Sequence, residues 1–331
     1  MQNQSTGVWR EEAGGRRRPQ EKRPVVGLRI QAAACLLLSI ACLLPSAVCL
    51  PVHSQTPTVL KVGVTLHPYY SWTANVASGT AVEVRPVLPG EVDAGNYQPS
   101  PEDVRKLADL DAIVVNGLGH DDFIGDMIKA SGNARIRILR PSDETPQIRS
   151  IRGGTVNSHT FLSITNAIQQ TYAIQKALGV LRPDLAEAFL RNASDYARRL
   201  RALKAKYVSD LADAKTTRVV TVHDGYGYLM QEFGIDIAGV VEPAHGLVPS
   251  AAELQEMIAL IRREKIGVVF SEESFPEPLL KTLRESARVR VHLISHVATG
   301  TYAADKFERE MEDNLKSMVR ALVTEAGDGA R

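Results

Sequence analysis

Cysteine is nearly missing from this 331-residue chain, and its three copies, Cys35, Cys42 and Cys49, all fall within the first 49 residues. That segment carries Arg16, Arg17, Arg18, Lys22, Arg23 and Arg29, then an apolar stretch over 30–50. The order is that of a secretory signal, with an uncleaved membrane helix as the competing reading, because ~20 apolar residues span a bilayer. Pro45, the small residues Ser46 and Ala47, and the polar segment 54–56 favour cleavage. A lipid anchor is not expected, since Ser39-Ile40-Ala41-Cys42 meets only part of the lipoprotein pattern. Cleavage near Cys49 leaves no thiol, which excludes disulfides and thiolate metal sites and argues against a Cu(I) preference. Excess positive charge is also missing: beyond Cys49 there are 32 basic and 35 acidic residues, a net charge of −3. Nothing there attracts nucleic acid. A His-Glu-x-x-His helix motif is absent too, which weighs against a zinc-dependent hydrolase.

What remains is about 280 residues, enough for two ordinary cores. Short β-branched runs at 59–65, 81–88 and 112–115 predict buried strands, with a capped helix over 99–110 between two of them. The second half repeats this wiring: strands at 218–222, 235–241, 267–270 and 289–294, helices at 225–233, 251–264 and 277–286. Between the halves, Leu185, Phe189, Tyr196, Leu200, Leu203, Tyr207 and Leu211 recur on one helical face behind Pro183. The expected architecture is α/β: two lobes, each a parallel sheet flanked by helices, joined by one long bridging helix. The expected boundaries are a signal at 1–49, a first lobe at 50–182, the bridge at 183–214 and a second lobe at 215–331.

Histidines cluster where such sheets bind ligands, beyond the carboxyl ends of strands. His67, His120, His223 and His296 follow predicted strands, and His159 sits at a loop-to-helix junction. Any one of them is as readily a helix cap as a ligand. Jointly they point to a metal, because three imidazoles plus a carboxylate or a fourth imidazole complete a tetrahedral Zn²⁺ shell without cysteine. Asp93, Glu272 and Glu273 are the candidate carboxylates; His245, in a loop before a helix, is a weaker candidate, and His53 and His292 are expected bystanders.

Several segments carry a resemblance: Pro89-Gly90 with 97–101, the strand and turn at 111–119, Asn157-Ser158-His159-Thr160-Phe161-Leu162-Ser163, Val219-Val220-Thr221-Val222-His223-Asp224-Gly225-Tyr226, and Val269-Phe270-Ser271-Glu272. Over about 61–321 the chain resembles the zinc/manganese solute-binding proteins of ABC importers. The resemblance implies an extracytoplasmic, non-enzymatic monomer that closes two lobes over Zn²⁺ or Mn²⁺ as transported ligand and delivers it to a membrane permease. It carries His159 and His223 over as ligands. Two departures stand out: Gly95 replaces the family's first histidine, and His296 stands where an aspartate is usual. His67 is the expected replacement for the lost ligand, with His120 as the competing one, giving a set of His67, His159, His223 and His296, with Glu272, Asp93 and His120 as additional or outer-shell residues. A binding protein for a metal chelate or haem is the alternative that shares this plan, and it needs a wider pocket.

Overall fold

The computed structural model describes residues 59–214 and 217–324; the expected signal segment, with all three cysteines and His53, lies outside them. Among the described residues no helix is long and apolar enough to cross a membrane.

The first half builds β1 (Leu60–Val64), α1 (His67–Ala77), β2 (Val82–Pro86), α2 (Pro101–Arg105), β3 (Ala112–Val114), α3 (Ile124–Ser131) and β4 (Arg137–Leu139). These strands form one sheet in the order β2-β1-β3-β4, and every pairing is parallel. The chain then runs through α4 (Ile164–Leu181) and α5 (Ala186–Val208). The second half builds β5 (Arg218–Thr221), α6 (Gly227–Glu232), β6 (Asp236–Val240), α7 (Ala251–Glu264), β7 (Val268–Ser271), α8 (Glu277–Ala287), β8 (Arg290–Leu293) and α9 (Lys306–Val319). Its sheet, β6-β5-β7-β8, repeats the first, again all parallel. Buried parallel strands need apolar residues on both faces, which is why they read as continuous β-branched runs. Thus Val219 and Phe270 face one core while Val220 and Val269 face another, under α7 and α8.

The structure refines three expectations. The helix expected over 99–110 is regular only from Pro101 to Arg105, opened by a capping box between Ser100 and Asp103. The bridge begins as a 3₁₀ turn at Pro183–Leu185 and continues as the 23-residue α5, so its regular part spans ~35 Å at 1.5 Å per residue. Sequence spacing did not register α1, α3, α4, α9 or β4.

The larger core does not stop at the lobes. Val62 and Ile113 of the first sheet, Trp72 of α1, Phe189 and Tyr196 of α5, Val219 and Phe270 of the second sheet, and Phe307 and Met311 of α9 belong to one apolar cluster. The α9 helix crosses back onto α1: Trp72 meets Phe307 edge-on at 5.3 Å between ring centroids, and Ser71 Oγ donates to the Ala303 carbonyl at 2.8 Å. Ion pairs from Arg199 to Glu308 and from Lys206 to Glu312 tie α5 to α9 along its exposed side.

Candidate metal centre

Both sheets end on the same crevice. Asp93 follows β2, His120 follows β3, His223 follows β5, Glu242 follows β6, Glu272 follows β7 and His296 follows β8. His159 arrives separately, from the turn that precedes α4. Five imidazoles converge here, those of His120, His159, His223, His245 and His296, with centroid separations from 4.4 Å for His223–His245 to 6.0 Å for His120–His296 among the pairs in contact.

The partners of each ring fix which nitrogen is free. Asn157 Oδ1 accepts the His159 backbone N–H at 2.9 Å and lies 2.9 Å from His159 Nδ1, so Nδ1 carries the proton and Nε2 is the lone pair. Asn157 Nδ2 meanwhile donates to the Asp224 carbonyl at 2.8 Å, tying this turn to the loop that holds His223. His223 Nδ1 meets Glu242 Oε2 at 2.9 Å, which likewise leaves Nε2 free. His245 Nε2 meets Asp93 Oδ2 at 3.1 Å, leaving Nδ1 free, and His296 Nδ1 lies 3.3 Å from the same oxygen. His296 Nε2 is buried with no hydrogen-bond partner. The free nitrogens face each other: His223 Nε2 is 3.0 Å from His159 Nε2 and 3.1 Å from His245 Nδ1. Lone pairs at that range repel unless a cation or proton lies among them, and these gaps approach the ~3.3 Å edge of a tetrahedral shell with ~2.0 Å bonds.

The electrostatics are those of a cation site. Burial alone raises the Asp93 carboxyl, but its bonds with His120, His245 and His296 outweigh that and hold it well below the usual carboxylate range. Burial pushes His159, His223 and His296 down, opposed at His223 by Glu242 and at His296 by Asp93. At His245 burial acts the same way, but the Asp93 carboxylate wins and raises it. Burial raises Glu272, which accepts from the Tyr226 hydroxyl at 2.9 Å. One feature of the backbone also bears on the site: Val297, next to His296, is buried and β-branched yet has φ of +58°, a costly conformation held by its N–H bond to Ser295 Oγ at 2.9 Å.

Of the residues read from sequence, His159, His223, His296, His120, Asp93 and Glu272 lie in this crevice, and Glu273 is exposed outside it. His67 does not join them. It opens α1, its Nε2 donates to the Gly90 carbonyl at 2.9 Å, and its ring stacks on Tyr302 at 3.8 Å. Among the described residues no ring of the cluster contacts it. The reason is the helix: as first residue of α1, His67 turns toward the seam where the Gly300 N–H donates to Gly90, not toward the crevice. His292 lies on β8 against Phe270, away from the cluster. Sequence spacing underrated His245, whose loop position hides how close it comes to the N-terminal lobe.

A cavity of about 300 Å³ opens beside the histidines, lined in part by Arg152, Asn157, His159, His223, Glu242 and His245. A larger depression of about 660 Å³, between the 148–151 segment and α6, has no histidine in its walls.

Residues 62–321 match the family described as zinc-uptake complex component A, periplasmic. The solved Ni²⁺ complex of the solute-binding protein FpvC of Pseudomonas aeruginosa is 40% identical, with a TM-score of 0.76, over 80% of this chain and 97% of that one. FpvC has also been solved with Mn²⁺, with the same identity and TM-score. The zinc-binding lipoprotein AdcA of Streptococcus pneumoniae is 26% identical over 87% of this chain, which spans 59% of the length of that relative. With a family match over most of its length and a two-sheet fold shared with solved members, the chain belongs to the periplasmic zinc-uptake component A family of metal-binding solute-binding proteins.

Proposed function

We propose that this protein captures a divalent transition-metal ion, Zn²⁺ first and Mn²⁺ second, outside the cytoplasm and passes it to the permease of an ABC importer. It acts as a monomer and by binding, not catalysis. The observation that carries this reading is the convergence of imidazole lone pairs, each backed on its other nitrogen by a carboxylate or amide oxygen, the arrangement that orients metal ligands. His159, His223 and His296 hold the ion, with Asp93 and Glu272 beside them and His120 behind Asp93. An imidazole-rich shell suits Zn²⁺ better than the harder Mn²⁺. The relatives' names support the choice of zinc, and the periplasmic family description supports an exported protein with 1–49 as its signal. The lobes divide in our reading at 50–182, 183–214 and 215–331, with α9 lying across that division. The chelate or haem alternative fits less well, because about 300 Å³ is the lower bound of ordinary ligand pockets at ~300–1,000 Å³.

Purified protein lacking residues 1–49 is expected to bind one Zn²⁺ per chain in competition with a chromophoric chelator; under half an equivalent sinks the reading. The same deletion retains the protein in the cytoplasm, where fractionation finds it soluble and still metal-binding. His67→Ala is expected to keep zinc affinity within about tenfold of the parent, the lower end of outer-shell effects. A loss beyond a hundredfold in a folded variant would return His67 to the ligand set.

A further inference from the structure

The loop between β6 and α7 and the loop after β2 interlock through two glycines. A Cβ placed on Gly95 would lie 2.8 Å from His245 Nε2 and 3.0 Å from His120 Cε1, closer than packed atoms approach. A Cβ on Gly246, at φ of +68°, would lie 2.3 Å from Asn96 Nδ2. Each glycine is thus a notch filled by the opposite loop, and the filling group at Gly95 is the His245 ring. That ring is held at Nε2 by Asp93 Oδ2 at 3.1 Å, while its free Nδ1 faces His223 Nε2 at 3.1 Å. His159, His223 and His245 can each offer one nitrogen to a common ion. His120 also reaches the Asp93 carboxylate, its Nε2 lying 3.3 Å from Oδ1, but among the described residues no group of side chains placed to share an ion includes it.

Resting on the metal-capture reading above, we infer that His245 is the fourth ligand beside His159 and His223, with His296 reaching the same ion from the group it forms with His223 and Glu272, and that Gly95 is small in order to admit it. Asp93 is then a positioning residue, gripping His245 and His296 from the side away from the ion. Four neutral imidazoles select borderline ions of the Zn²⁺, Co²⁺ and Ni²⁺ kind over Mn²⁺, which prefers oxygen ligands. The selecting loop belongs to the second lobe and its orienting carboxylate to the first, so the shell is complete only when the two loops are engaged.

The test combines affinity with a count of ligands. X-ray absorption of the zinc-loaded parent is expected to show four imidazole nitrogens. His245→Ala is expected to weaken Zn²⁺ by more than the ~100-fold upper end of outer-shell effects while Mn²⁺ affinity changes less. Gly95→Ala is expected to weaken Zn²⁺ in the parent by displacing His245, yet to add little in the His245→Ala background. Gly95→His in that background is expected to restore much of the loss, since its ring can enter the vacated space. Three imidazoles plus oxygen in the parent, or His245→Ala binding Zn²⁺ within threefold of it, overturns the inference while leaving metal capture intact. A parent that binds no ion overturns both.

Discussion

Replacing His223 by alanine lowers zinc affinity on the order of a thousandfold, past the ~10–100-fold range of an outer-shell partner. His223 is the residue common to both groups of side chains that can share an ion, one with His159 and His245 and the other with Glu272 and His296. It stands two residues beyond β5, an inner strand of the second sheet, so its position is set by the core and not by a mobile loop. Its removal takes away a ligand and strands the Glu242 carboxylate that orients it. Glu242→Gln, which keeps an acceptor but removes the charge, is expected to fall inside the ~10–100-fold range. Competition titrations on both variants, with circular dichroism to verify folding, separate the two roles. A His223→Ala loss below tenfold would falsify the assignment.

Acid is the second strong lever, and its sign follows from burial. His67 is held down to about 4 by burial, against the opposing pull of the Gly90 carbonyl, and His159, His223 and His296 are also lowered by burial. In the unfolded chain the same rings protonate near 6.5. The folded state therefore holds fewer protons than the unfolded one below that pH. Its stability is fully present above 6.5 and is lost as pH falls toward about 4, with a slope of up to ~1.4 kcal/mol per pH unit for each ring. His245, raised by Asp93, acts with the opposite sign and favours the fold as pH falls, so the lowered rings reduce the typical margin of ~5–15 kcal/mol only by their surplus over it. Thermal melts from pH 7.5 to 4 should show Tm of the metal-free form falling steadily below 6.5, with the zinc-saturated form resisting to lower pH because bound metal excludes the protons. A Tm unchanged between pH 7 and pH 5 contradicts this account.

Much of the fold was legible because buried parallel strands must be apolar on both faces, a signal that survives without an alignment. Seven strand runs, among them those around Val62, Val114, Val219 and Val269, were announced by composition alone. Strand β4 escaped because it is a three-residue edge strand containing Arg137, with Ile138 exposed. Helix α4 escaped because Asn166, Gln170 and Thr171 are buried along it, so polarity did not mark its solvent face. The strand-end rule brought out His223 and His296 correctly as crevice residues, yet the same rule misled at His67, because the next residues form a helix at once and swing the ring to Tyr302. His245 was hard to see for the opposite reason. It sits five residues beyond β6, in a loop that does not show which way the ring turns, and the sign of its role, a glycine at position 95, lies 150 residues away and reads as a loss until the notch is seen to be filled.

On the metal-capture function proposed above, the shared core beneath the crevice limits how a bound ion could leave. Trp72, Phe307, Tyr196 and Met311 belong to one core with residues of both sheets, and parting the lobes there exposes apolar surface at about 25 cal/mol per Å². The opening that frees the ion is therefore confined to the two interlocked loops, whose engagement rests on Asp93, His245 and a pair of glycines. Loop motions of this kind run on nanosecond to microsecond scales, while a swing of whole lobes is slower. Dwell time on the protein is then governed by the strength of the metal–imidazole bonds. On the delivery function proposed above, a docked permease would shorten it by prying at one loop.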